Sequence, residues 1–187
     1  MLKAAFNQGG LRTLVAVLLL ASAYLVIGRL SLLLAIPPGF ATAIFPPVGI
    51  SLAAVLIWGY PLLWGVFIGS TVLNLTIAVS SLADLNSSHL VVASGIALGT
   101  TLQCSIASYL IRRFVGFPNA LVDEHAIFRT LLIGGPLSCL ISASLGPLVL
   151  YFAGLMDHQQ LAFSMWTWWI GDSIGVLIAA PLMFIFF

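Results

Sequence analysis

The stretch TLVAVLLLASAYLVIGRLSLLLAI, Thr13–Ile36, decides the fold. Its 24 residues hold no acid and a single cation, Arg29. As a helix rising ~1.5 Å per residue it reaches ~36 Å, enough to cross a ~30 Å hydrocarbon core with tilt. Lys3 and Arg12 precede it and Ala21-Ser22-Ala23 resembles a cleavage site, which is the dress of a secretory signal. Hydrophobicity runs well past that point, so the segment is expected to stay as a first transmembrane helix.

The rest of the chain repeats this character. Of 187 residues, 61% are hydrophobic and 6% charged, against roughly 25% charged in soluble domains. That is too little polar surface to face water, and lipid is the solvent it fits. A net charge of +1 gives no basic face for nucleic acid. Further apolar runs cover Pro47–Trp58, Leu62–Val79, Leu90–Ile111, Thr130–Phe152 and Phe163 to the end. The breaks between runs carry turn chemistry: Pro37-Pro38-Gly39, Gly59-Tyr60-Pro61, Asp84 to Ser88, Gly116 to His125 and Gly154 to Gln160. The expected fold is an all-α membrane bundle of about six transmembrane helices.

Orientation follows from the basic residues. Counting connections alternately, Lys3, Arg12, Arg112, Arg113 and Arg129 fall on the N-terminal side, five of the six Lys and Arg. The other side holds Asp84, Asp157, His89 and His158. Lys and Arg collect in the cytoplasm, so both termini are expected there. Trp58, Tyr60 and Trp64 then flank the inner boundary and Trp166, Trp168 and Trp169 the outer one, as an interfacial belt, with ligand stacking as the alternative for these tryptophans. Gly65-x-x-x-Gly69, Gly95-x-x-x-Gly99 and Gly171-x-x-x-Gly175 offer faces for close helix packing. Gly134-Gly135-Pro136 and Pro147 are expected to bend the fifth span, with Ser138, Ser142 and Ser144 placed to satisfy freed backbone groups.

Charge inside a bilayer is costly and marks functional candidates. Arg29 and Asp172 are the two such residues, ~10 and ~13 Å from the outer ends of their spans at helical rise. They are expected to meet as an ion pair or to line one polar cavity. The alternatives are a pair that only fixes register, or an Arg29 that reaches the surface alone. Pro46 and Pro47 open a run too short for a full span, so the second helix is read as short with a proline-rich entry. The preceding Pro37–Phe45 is expected as irregular backbone dipping into the bundle, and the helix start as a positive dipole end. With Arg29 close by, that favours a small polar or anionic ligand. Asn74 lies in the same outer half. Cys104 and Cys139, within apolar runs, read as buried small hydrophobes. Metal-binding His pairs, nucleophile turns and phosphate loops are missing from the sequence, and a single intramembrane carboxylate does not make an aspartyl protease. No cofactor and no intrinsic catalysis are expected.

Three runs carry a resemblance to a known family: Ala43-Ile44-Phe45-Pro46-Pro47-Val48-Gly49-Ile50, then Trp64-Gly65-Val66-Phe67-Ile68-Gly69 leading to Asn74, then Trp169-Ile170-Gly171-Asp172-Ser173-Ile174-Gly175-Val176 ending in Pro181. In order and spacing they resemble the membrane-associated sensor domain MASE, type one, across essentially the whole chain. The resemblance implies a bacterial inner-membrane sensory input domain, placed before a histidine kinase, diguanylate cyclase or cyclic-di-GMP phosphodiesterase module. The partners it implies are the bilayer, an unknown small ligand, a cytoplasmic signalling domain in cis and a second copy in a homodimer. Such units have about eight helices, so residues 1–187 are expected to be a sensor domain cut short at the C-terminus, without its output domain. The candidate ligand-binding set is Arg29, Pro46, Pro47, Asn74, Trp169 and Asp172. A six-helix substrate-binding subunit of an uptake transporter is the other reading that size and composition allow.

Overall fold

The computed structural model describes residues 10–36, 41–79, 84–117 and 123–186. The expected turn at Pro37–Gly39 and the N-terminal Lys3 lie outside them. Six helices follow one another: α1 (Gly10–Ser31), α2 (Pro46–Trp58), α3 (Leu63–Ala78), α4 (Ser87–Phe114), α5 (Glu124–Phe152) and α6 (His158–Phe186). All but α2 are long and apolar enough to cross a bilayer. α1 shows how the sequence divides its faces: Leu14, Leu18, Val26 and Leu30 are exposed, while Val17, Ala21, Tyr24, Gly28 and Ser31 are buried. Small and polar groups face the protein and large aliphatic ones face outward, the arrangement lipid demands.

α2 is the exception and the centre. Its 13 residues make ~20 Å of helix, short of a ~30 Å core. Nine of them, Pro47–Gly49 and Ser51–Leu56, are buried, because α1, α4 and α6 surround it. A half-span is tolerated here since its ends meet protein, not hydrocarbon. Helix starts at Pro46, where a proline costs no hydrogen bond.

The segment before α2 departs from the expected irregular backbone. Ala35–Ile36 (β1) and Ala41–Thr42 (β2) pair antiparallel, Ala35 opposite Thr42. The amide of Ala43 donates to the Leu34 carbonyl at 3.1 Å, and that of Phe45 to the Gly171 carbonyl of α6 at 3.0 Å. Backbone at this depth needs partners, and a short ladder plus one helix carbonyl supplies them.

All three small-residue faces are used. A Cβ on Gly65 or Gly69 would meet the Val17 or Ala21 carbonyl of α1 at 2.8 and 2.9 Å; on Gly95 or Gly99 it would press on Val149 or Leu145 of α5. On Gly171 and Gly175 it would collide with the carbonyls of Thr42 and Phe45. The proline-rich entry therefore lies directly on the backbone of α6, and Gly49 of α2 on the carbonyl of Gly175.

α5 is interrupted where Gly134-Gly135-Pro136 falls, and Pro147 lies within continuous helix. At Ile133–Leu137, which contains Pro136, the helix widens to a π turn. The Ser138 amide donates to Ile133 instead of Gly134, at 3.1 Å. The Ser138 hydroxyl takes the freed Gly134 carbonyl at 2.6 Å, and Ser144 bonds Leu140 at 2.7 Å.

Two arginines close helix C-termini. Arg29 donates to the Thr76 carbonyl in the last turn of α3 at 2.7 Å. Arg112 donates to the Val55 and Leu56 carbonyls of α2 at 3.1 and 2.8 Å. Cations at such ends answer both the orphan carbonyls and the helix dipole.

Candidate functional site: a cavity over Asp172

Where β2, the start of α2 and helices α1, α3, α4 and α6 converge, they enclose a cavity of about 50 Å³. That volume holds a few waters or a ligand group of a few heavy atoms. Its aromatic walls are Tyr24, Phe45 and Trp168; its polar groups are Thr42, Ser70, Asn74, Thr100 and Asp172. Ile77, half exposed, stands at the rim.

Each wall has a local cause. Tyr24 faces inward because Gly69 lets α3 close on that stretch of α1, and its ring meets Phe45 edge-on at 5.8 Å. Phe45 is fixed by its amide bond to Gly171. Trp168 lies over Gly146 of α5, where a side chain would strike the indole, and one helical turn before Asp172 on the same face of α6.

Asp172 is 2% exposed. The Ser142 hydroxyl donates to it at 2.6 Å. Ser142 also lies 3.2 Å from the Cys139 carbonyl, but it has one proton, and the shorter contact to an acid takes it. Among the described residues no ion pair forms with Asp172. Beneath lies a polar seam: the Gln103 amide nitrogen reaches the Cys139 sulfur at 3.0 Å. Among the described residues the Gln103 amide oxygen has no partner. Both cysteines are buried and free.

Of the six sequence candidates, the structure brings together Asn74 and Asp172. The other four stand apart. Arg29 is exposed and donates instead to the Thr76 carbonyl at the end of α3. The expected ion pair is therefore replaced by two separate contacts. Pro46 and Pro47 serve the α2–α6 packing; they carry no amide proton, and the first free one, Val48, points to the Phe45 carbonyl at 3.4 Å. The helix start thus offers little to an anion. Trp169 donates its indole proton to the Pro136 carbonyl, freed by the π turn, at 2.8 Å; the neighbouring Trp168 faces the cavity. With Arg29 elsewhere and no Lys or Arg among the described residues on the walls, the anionic ligand loses its cation and the polar one remains.

Residues the sequence reading did not place at this site are Tyr24, Phe45, Ser70 and Thr100; Ser142 was expected to serve backbone groups, and Trp168 an interfacial belt with ligand stacking as its alternative. A hydroxylated aromatic inside an otherwise aliphatic span was a usable signal for Tyr24. Ser70 and Thr100 looked like ordinary helix-packing hydroxyls.

The opposite end of the bundle is tied to this cavity through the same helices. The Arg112 guanidinium lies 5.6 Å from the Tyr60 ring and 5.9 Å from Phe117, and Phe117 packs on Phe184 of α6 at 5.7 Å. α2 and α6, which meet the cavity at one end, share this cluster at the other.

The fold is that of a multi-pass helical membrane protein. The family model MASE1 matches residues 14–187, and the chain belongs to that family of membrane sensory domains. No curated protein and no solved structure matches the chain.

Proposed function

We propose that the cavity over Asp172 is where this membrane sensory domain receives its signal, and that the α2–α6 pair carries it across the bilayer. The end bearing Arg112, Arg113 and Arg129 is cytoplasmic, with both chain termini on that side, in a bacterial inner membrane. A small polar ligand enters from the periplasmic side past Ile77. A cytoplasmic kinase or cyclic-di-GMP module in cis receives the output.

The observation that carries this reading is that two of the three runs resembling the sensor family meet at one cavity. Phe45, at the head of the proline run, and Asp172, in the terminal run, both line it. A ligand shifts a two-state bundle only by its differential affinity for the two states. Here occupancy acts on Phe45 and Asp172, which are bonded through Gly171. α2 and α6 are locked at Gly49 and Gly175, so they shift as a unit. That shift is delivered to the Arg112–Phe117–Phe184 cluster.

The test needs no identified ligand. A fusion of the chain, through α6, to a diguanylate cyclase reporter gives a basal output in cells. Ser70→Leu, which places a branched side chain in the cavity, is expected to move that output several-fold at equal protein level. Leu18→Ala, on the lipid face, is expected to leave it alone. Output unchanged in a folded Ser70→Leu fusion overturns the reading.

A further inference from the structure

We propose that the cavity selects a small primary ammonium group, held by the Asp172 carboxylate against the rings of Tyr24, Phe45 and Trp168. This deepens the proposed function and rests on it, in that the same cavity is taken as the ligand site.

Charge gives the sign. A carboxylate in a low-dielectric interior needs a cation or a full set of donors. Asp172 is 98% removed from solvent contact by the surrounding helices, at 2% exposure, and receives one hydroxyl proton. The two arginines that share the bundle's interior edges are engaged with the carbonyls of Thr76, Val55 and Leu56. The Trp168 side chain also lies within hydrogen-bonding reach of Asp172; an ionised carboxylate offers about four acceptor positions, so about two are left for a ligand in the cavity.

Shape and chemistry narrow the cation. An ammonium has three donors and no acceptor. The Asp172 oxygens and the hydroxyls of Ser70 and Thr100, the latter two shared with the Tyr24 phenol, lie within one small space and can accept. A ring face within about 6 Å favours an organic cation, more so when it is desolvated, and three of the lining residues are aromatic. A hard metal ion would want oxygen on every side, whereas Leu32, Ala41, Leu73 and Ile96 occupy much of the wall. A space of about 50 Å³ admits the charged head of an alkylamine and leaves its tail toward the rim at Ile77. Anions meet Asp172 and no compensating base.

The experiment is thermal unfolding of the purified protein in nanodiscs of zwitterionic lipid, followed with a dye that reacts with Cys104 and Cys139 on exposure. Ethylammonium chloride is titrated against sodium chloride, acetamide and sodium acetate at matched ionic strength. The expected result is a saturable rise in unfolding temperature with ethylammonium alone. Asp172→Asn, which keeps an acceptor for Ser142, is expected to weaken the apparent affinity roughly thirtyfold or more. Phe45→Leu, which leaves the acid in place, is expected to weaken it severalfold, and it decides the matter if Asp172→Asn does not fold. No saturable response to ethylammonium, an equal response to sodium, or undiminished affinity in both variants overturns the proposal. Saturable stabilisation by acetamide in place of ethylammonium also overturns it, while leaving the cavity as a ligand site. A Ser70→Leu fusion without change in output sinks the sensory reading instead.

Discussion

Gly175→Ala tests how tightly the proline-rich entry is seated on α6. The added Cβ would collide with the Phe45 carbonyl oxygen and sit 3.1 Å from the Pro46 nitrogen. Both are backbone atoms, so no side-chain rotation relieves the clash; the segment must lift from α6. Overpacking of this kind costs about 1–3 kcal/mol. Lifting also lengthens the Phe45–Gly171 hydrogen bond, now 3.0 Å, worth about 0.5–1.5 kcal/mol and more where water cannot replace it. The two terms give a destabilisation of about 2–4 kcal/mol, offset by a few tenths to ~1 kcal/mol from the better helix propensity of alanine. Equilibrium unfolding in mixed micelles measures it, with Gly10→Ala as control. A Cβ at Gly10 meets nothing within 4 Å, so that variant is expected to match or slightly exceed the wild type. If Gly175→Ala unfolds at the same point as Gly10→Ala, the close seating of segment 42–46 on α6 is wrong.

Other outcomes follow from the same contacts. Arg112→Met takes the charged donor from the Leu56 carbonyl and leaves Val55 with the Gly59 amide alone; it is expected to cost about 1.5–3 kcal/mol in the same unfolding measurement, hydrogen bonds to charged groups being the stronger kind. Arg112→Lys should recover only part, since a point charge cannot reproduce the planar fork. Gln103→Met removes a buried amide oxygen that has no partner among the described residues and is expected to leave stability unchanged or raise it by up to about 1 kcal/mol; a loss beyond about 2 kcal/mol would show that the amide is satisfied in the membrane. Exchanging Arg29 and Asp172 within one chain is expected to rescue neither folding nor output relative to the single changes, because the two side chains serve different partners. Restored output in the exchange would bring back the direct pair.

Much of the fold was legible because lipid simplifies the code. Apolar runs of spanning length mark helices whatever their neighbours do, and α1, α3, α4, α5 and α6 each appear where such a run lies. Gly134-Gly135-Pro136 announced the break in α5, since proline withholds a proton and glycine tolerates the widened turn. The glycine faces at 65/69, 95/99 and 171/175 announced close approaches, though not which helix would fill each. The site was less legible, and the reason is rotational. Hydropathy and rise give depth along a helix but not the direction a side chain faces. By rise Arg29 and Asp172 share a depth, yet Arg29 leaves α1 on the side of α3's last turn while Asp172 points into the bundle. Trp168 and Trp169 differ by one position, or ~100° around the helix, which is enough to exchange a cavity wall for a hydrogen bond to Pro136. The pairing of β1 with β2 was hidden for another cause. Two residues per strand carry no alternation to read, and the ladder exists because backbone within the bundle must find partners.

The claim at the centre is that filling the cavity moves α6 at the basic end of the bundle. The direct measurement is a distance distribution between spin labels at Trp64 and Ile185, both exposed near that end, in nanodiscs, for an otherwise wild-type chain and for Ser70→Leu. The account predicts two populations whose balance shifts with the filled cavity. Identical distributions in two samples of equal unfolding temperature would contradict it.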